Sequence, residues 1–246
     1  MYLGELGEVS RHVPALLADA RSRGNLYLAT ELATRANYVW LASDDPDEGE
    51  RETIESIARW SHERFHRQHY SAMLARVQTA LYRGDGEAAW RLLAEQESRL
   101  RASYLRRVQI IRIEWFYLRA RSALAMAATN RRSSRLLSVA RAGARRIANE
   151  RMPWSDPIAL LVRAGIAYLE GSTPLALRHL HDAADRFERA DMRLYVAAAS
   201  RRIAALQHDE RGRALQRQAD EWMAAQNIRN PACMTRMLAP GLPDLT

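Results

Sequence analysis

Lysine is absent from this chain: all 37 basic residues are arginine, a bias that a GC-rich genome produces at no functional cost. The single cysteine, Cys233, excludes an internal disulfide, and no His or Cys stands near it at a metal-ligand spacing. It reads as an ordinary half-buried thiol. No apolar run approaches the ~20 residues that span a bilayer, and Met1 to Glu8 lacks the charged and apolar regions of a secretory leader. A cytoplasmic location away from membranes is the expectation. Only three Phe accompany nine Tyr and six Trp, and no segment alternates in the manner of a strand.

Ala, Leu and Arg fill most windows, and 48% of the 246 residues are hydrophobic. That mixture favours helix and supplies enough apolar surface for a continuous core. Charge is unevenly placed. Between Arg99 and Arg151 lie 14 Arg against only Glu114 and Glu150, so the formal +8 belongs to the middle third and the remainder is slightly acidic.

Apolar residues recur at helical spacing nearly throughout. Ser43-Asp44-Asp45-Pro46, Ser155-Asp156-Pro157 and Ser172-Thr173-Pro174 each set capping residues ahead of a Pro suited to a first helical turn. Further breaks fall at Gly84-Asp85-Gly86, Asn130 and Asn230-Pro231. The spacing predicts helices at about 9–23, 25–42, 47–60, 66–83, 86–102, 104–128, 132–150, 157–170, 173–189, 191–207, 210–226 and 231–238.

The turns closing alternate helices, near Asp45, Asp85, Asn130, Gly171 and Asp209, stand 40, 45, 41 and 38 residues apart. The expected fold is therefore all-α, a tetratricopeptide-like superhelix (α-solenoid) of about five antiparallel helix pairs plus a short C-terminal helix. Residues 1–246 form one domain in this reading, with a capping helix over 1–23, pairs over 25–226 and a tail over 227–246. Met73, Ala80, Gly84-Asp85-Gly86-Glu87-Ala88-Ala89 and Leu93 occupy the large, small, turn and packing slots of one tetratricopeptide unit. Leu160, Ala164, Ala167, Gly171, Ala176-Leu177, Leu180 and Ala183 occupy those of a second.

Several blocks are more specific than a generic repeat. They are Asn25 to Thr30, Ala58 to Glu63, Gln68-His69-Tyr70, Leu81 to Trp90, and Trp222 to Gln226 continuing to Met237 through Gly241. Together these resemble the C-terminal tetratricopeptide region of large multidomain bacterial serine/threonine protein kinases. No Gly-rich phosphate loop, His-Arg-Asp loop or Asp-Phe-Gly motif is present. The resemblance thus implies a noncatalytic sensing or docking module for a protein partner, with no cofactor.

One enzymatic motif competes with that reading. His62-Glu63-Arg64-Phe65-His66 matches His-Glu-x-x-His, which on a continuous helix holds zinc between two imidazoles and aims the Glu at the bound water. The predicted break between Trp60 and His66 places the match across a turn, and His69 follows too closely to be a spaced third ligand. Structural or surface roles for His62, Glu63, His66 and His69 are expected, with adventitious metal at His66 and His69 as the exception. A nucleophile elbow is absent.

The basic middle third, including Arg112 and Arg119, is the stronger signal, because the planar guanidinium fork suits carboxylate and phosphate. Its competing readings are a solvated face, pairing with carboxylates of adjacent repeats such as Glu87, Glu95 and Glu97, or a surface for nucleic acid or another polyanion. Aromatics do not interleave with these arginines in sequence. Arg76, Arg163 and Arg201 share one repeated slot eight residues before a turn, either bridging repeats or facing an acidic partner. Tyr82, Tyr168 and Leu206 share the slot that tends to face a concave groove, with Tyr195 nearby. Such a groove accepts an extended peptide or an amphipathic helix.

Overall fold

The computed structural model describes residues 5–129 and 134–245, and among these every regular element is helical. Thirteen α-helices follow one another: α1 (Leu6–Ser22), α2 (Leu26–Arg35), α3 (Asn37–Ala42), α4 (Pro46–Ala58), α5 (Arg67–Tyr82), α6 (Gly86–Ala102), α7 (Gln109–Thr129), α8 (Ser134–Asn149), α9 (Asp156–Leu169), α10 (Thr173–Arg189), α11 (Arg193–Leu206), α12 (Glu210–Ala225) and α13 (Pro231–Leu238). Consecutive helices pack in adjacent pairs, α5 on α6, α7 on α8, α9 on α10 and α11 on α12.

The caps explain where helices begin. Asp45, Asp85, Asp209 and Asn230 each accept from a backbone N–H three residues on, at 2.8 to 3.1 Å. Each satisfies a donor that has no intrahelical partner. Pro46, Pro157, Pro174 and Pro231 stand in first turns, where the missing N–H costs nothing. Gly84 turns α5 into α6 at φ 81°, a left-handed conformation that disfavours any side chain. Two residues later, a Cβ on Gly86 would lie 2.6 Å from the Met126 amide nitrogen, so α6 crosses α7 in backbone contact.

Three departures from the sequence reading have local causes. The helix expected over 25–42 divides at Ala36 into α2 and α3, and each part packs on α4. The stretch expected to open a helix at 104 is a 3-10 turn, Tyr104–Arg107, because the Ser103 hydroxyl, 3.4 Å from the Leu105 amide, supports an extended Ser103 ahead of it. The N-terminal helix starts at Leu6 rather than near 9, drawn in by the fully buried Leu6 side chain. The break expected at Asn130 lies outside the described residues.

The C-terminal segment is a core element. Met234, Met237 and Leu238 are completely buried, and α13 packs on α5 and α11 simultaneously. Its end is held by side chains from the inner helices. Tyr117 donates to the Leu238 carbonyl at 2.6 Å, and Arg121 to the Met237 carbonyl at 2.9 Å. Arg202, 2% exposed, donates to the carbonyls of Ala239 and Pro243 and to the Asp244 carboxylate. A guanidinium buried this deeply is tolerated because its Nε and Nη1 donate to two carbonyls and it faces the Asp244 carboxylate. The same segment ties the chain's beginning to its end: Asn230 donates to Asp44, the Arg229 amide to the Ala42 carbonyl, and the Gly7 amide to Gln226.

Candidate functional site

The His-Glu-x-x-His match falls where α4 has ended at Ala58 and α5 has not begun, so His62 and Glu63 lie on a loop and His66 caps α5. His69, in the first turn of α5, accepts from the His66 amide through Nδ1 at 3.0 Å, and His66 Nδ1 accepts from the Trp60 indole at 3.0 Å. The rings of His62 and His66 each stand 5.7 Å from that of His69. Two of the three imidazoles have thus committed a lone pair, His69 to the start of α5 and His66 to the Trp60 indole. Among the described residues no group of three or more His, Cys, Asp or Glu is placed to hold a metal ion. Burial, then Arg99, then His66 and His62, hold the His69 imidazole down to about 4.

The repeated arginine slot divides. Arg201 is buried and bridges α11 to α12 through Asp220, Arg76 approaches Glu50 of α4 at 4.0 Å, and Arg163 is half-buried beside His179. Two of the three therefore join neighbouring helices. Tyr82 and Tyr195 are not groove residues: they are 2% and 3% exposed. Tyr82 donates to Asp44 at 2.7 Å, and Tyr195 stacks on Phe187 at 5.1 Å. Tyr168 and Leu206 do line a cleft, between α9, α11, α12 and the Pro243–Leu245 end of the chain.

The basic middle third is where unpaired chemistry accumulates. Both of its acids are taken. Glu114 is buried against Arg35 at 3.1 Å and accepts from Tyr70 at 3.2 Å, and Glu150 receives the Arg112 fork, one arm at 2.6 Å. Glu97 pairs with Arg101 at 3.2 Å and Glu170 with Arg141, whereas Glu87 and Glu95 pair with no arginine among the described residues. Arg106, Arg107, Arg119 and Arg146 are among the arginines of this segment that pair with no carboxylate among the described residues.

Each of the four lies over an aromatic ring instead. Arg107 stands 4.7 Å from the centre of Tyr104, and Arg119 stands 5.9 Å from that of Trp90. Arg106 and Arg146 share Phe116, at 5.7 and 5.0 Å. Arg99 covers Phe65 at 5.7 Å in the same manner. Cations so placed gain from the ring quadrupole while keeping their N–H forks open. The interleaving of arginine with aromatics that is missing along the sequence is therefore assembled in space, with Phe65 and Trp90 supplied from outside the arginine-rich segment. Of the arginines on this face only Arg112, which pairs with Glu150, and Arg119 were singled out as candidates by sequence. The visible signal was Phe116, one helical turn from each of them.

Two clefts meet on this face. One, of about 1040 Å³, is walled by Tyr27, Trp60, Phe65, His66, Arg67, Arg99, Tyr104, Leu105 and Val108. Tyr104 is 75% and Tyr27 53% exposed, an unusual cost for apolar surface that nothing covers. The second, of about 580 Å³, shares the wall Ala102-Ser103-Tyr104 and is lined by Arg101, Arg106, Arg107, Arg112, Phe116 and Arg146. An apolar groove thus opens directly onto a basic one. Neither a family model, nor a curated protein, nor a solved structure matches this chain. Among the described residues no helix is long and apolar enough to cross a membrane.

Proposed function

We propose that the chain is a noncatalytic docking module, a tetratricopeptide-like solenoid of helix pairs that receives an acidic protein segment across the face built by the α4–α5 loop, α6, the 3-10 turn, α7 and α8. The observation that carries the reading is the set Arg106, Arg107, Arg119 and Arg146, stacked on aromatic rings and lacking carboxylates, beside an apolar cleft with exposed Tyr27 and Tyr104. Aromatic and arginine side chains are the residue types that anchor interfaces. The roughly regular spacing of the pair-closing turns supports a solenoid, and the sequence blocks resembling kinase-associated repeat regions support a role in bacterial signalling. The faces of α5 and α11 on which α13 packs are occupied by the chain itself, which leaves the arginine-rich face for a partner.

The test is retention of degenerate peptides by the immobilised protein. A library with fixed Glu residues around one aromatic position should be retained, and the same library with Gln in place of Glu should be lost. Equal retention of both would remove the acidic-segment reading. A second reading, single-stranded nucleic acid, draws on the same arginine–aromatic pairs, since bases stack on aromatics while arginine tracks phosphate. Titration with oligo-dT at several salt concentrations separates it, because each phosphate neutralised steepens the salt dependence and a flat titration rules this reading out.

A further inference from the structure

We infer that the cleft around Phe116 is a subsite for a phosphorylated side chain of the docked segment, the phosphate dianion lying between Arg106 and Arg146; this rests on the docking reading above. Charge accounting distinguishes the phosphate from a carboxylate. Two joined hollows border Phe116, the basic cleft already described and a second of about 290 Å³ that adds Glu97 and Arg119. Together they gather six arginines and two glutamates. Arg112 is neutralised by Glu150 and Arg101 by Glu97, so Arg106, Arg107, Arg119 and Arg146 remain uncompensated.

A carboxylate brings one negative charge and two oxygens, enough for one guanidinium fork. A phosphate monoester brings nearly two charges and three acceptor oxygens, enough for two forks held on one ring. The strain that such a dianion relieves is visible in the free protein. Burial, then Arg146 and Arg101, push the Arg106 guanidinium below its ordinary value; Glu97 opposes them, and Arg119 adds the smallest part. The phosphorylated residue also needs neighbours with somewhere to go. The apolar cleft begins across the Ala102–Tyr104 wall, so a chain with its phosphate at Phe116 lays an adjacent aromatic or aliphatic side chain against Tyr104 and Val108.

Three degenerate peptide libraries test this on the full chain, identical except for a central phosphoserine, glutamate or serine. The expected result is retention of the phosphoserine library at least tenfold over the glutamate one, with serine weaker still. R106Q/R146Q should erase the preference, while R189Q, which removes an exposed charge from α10, should keep it. Neither Arg106 nor Arg146 has a carboxylate to orphan, so the double variant should melt within a few degrees of the native protein.

Equal retention of phosphoserine and glutamate libraries overturns the phosphate subsite but leaves acidic docking standing. Failure of all three overturns both. Inorganic phosphate binding as tightly as the phosphopeptides would assign the cleft to the free anion and overturn the proposal. Binding of oligo-dT that depends on Arg106 and Arg146, without a phosphopeptide preference, would do the same in favour of nucleic acid.

Discussion

At the scale of single residues, His69 shows how a motif read as chemistry becomes a piece of helix geometry. Its Nδ1 accepts the His66 amide, so the neutral ring carries its proton on Nε2, buried and without a hydrogen-bond partner. Protonating Nδ1 would break the cap of α5 beside the apolar cleft. The sign of the pH effect follows. The unfolded chain takes up this proton near 6.5 and the folded chain near 4. Stability is therefore complete above about 6.5, falls as pH drops from there toward 4, and levels off below. The slope from this group is at most about 1.4 kcal/mol per pH unit. Urea denaturation across pH 4 to 8 should show the loss, and His69→Gln should flatten it. A parallel slope in the variant would mean that His69 is not the group responsible. The sequence placed this motif across a turn correctly, since Ala58 to Arg67 holds no periodic apolar stripe. It held no hint that the imidazoles accept hydrogen bonds there, because Trp60 and His66 meet only through the fold of the loop.

At the scale of elements, α13 and the tail after it matter more than their length suggests. From sequence this short terminal helix, with a Pro at its first turn, reads as part of a tail. Its packing against both α5 and α11, together with Arg202, Tyr117 and Arg121 on its carbonyls, makes it a strut between early and late helices. Three fully buried apolar side chains, at about 1.5 to 3 kcal/mol each, are comparable with a typical domain's stability of about 5 to 15 kcal/mol. Removing residues 230–246 should therefore yield a chain that binds ANS and loses its cooperative melt while keeping much of its helical circular dichroism. A truncated chain with an unchanged melting temperature would show that the strut contributes little. The helix pairs themselves were legible, because α2, α4, α6, α12 and α13 each start on a capping Asn or Asp and small residues such as Ala164, Ala167 and Ala183 recur where backbones approach. The split at Ala36 and the 3-10 turn at Tyr104–Arg107 were not, since both arise from packing and local hydrogen bonds inside windows of unbroken helical periodicity.

At the scale of the whole molecule, the uneven charge noticed in the sequence becomes a face with a consequence for stability. Arg106 stands close enough to Arg146 and Arg119 to be repelled by both, a cost to the free protein that an incoming anion would offset. R106Q/R146Q should accordingly be as stable as the native chain or slightly more so, by up to roughly 1 kcal/mol. Raising the salt concentration should stabilise the native protein more than the variant, read as melting temperature at 0.05 and 0.5 M NaCl. A variant clearly less stable than the native chain would show the arginines to be structural supports.

The sequence by itself determined the helical class, most helix starts, the spacing of the turns and the concentration of arginine between Arg99 and Arg151, because each follows from periodicity, capping chemistry or composition along a few neighbouring residues. Only the tertiary structure decided which arginines stay unpaired and which aromatics they cover. Glu114 is taken by Arg35, Phe65 and Trp90 arrive from elements outside the basic segment, and Tyr82 and Tyr195 are turned into the core. Charge compensation and burial depend on distance in space: the arginine that takes Glu114 stands 79 positions from it in the chain, and Tyr117 is held by a carbonyl 121 positions away.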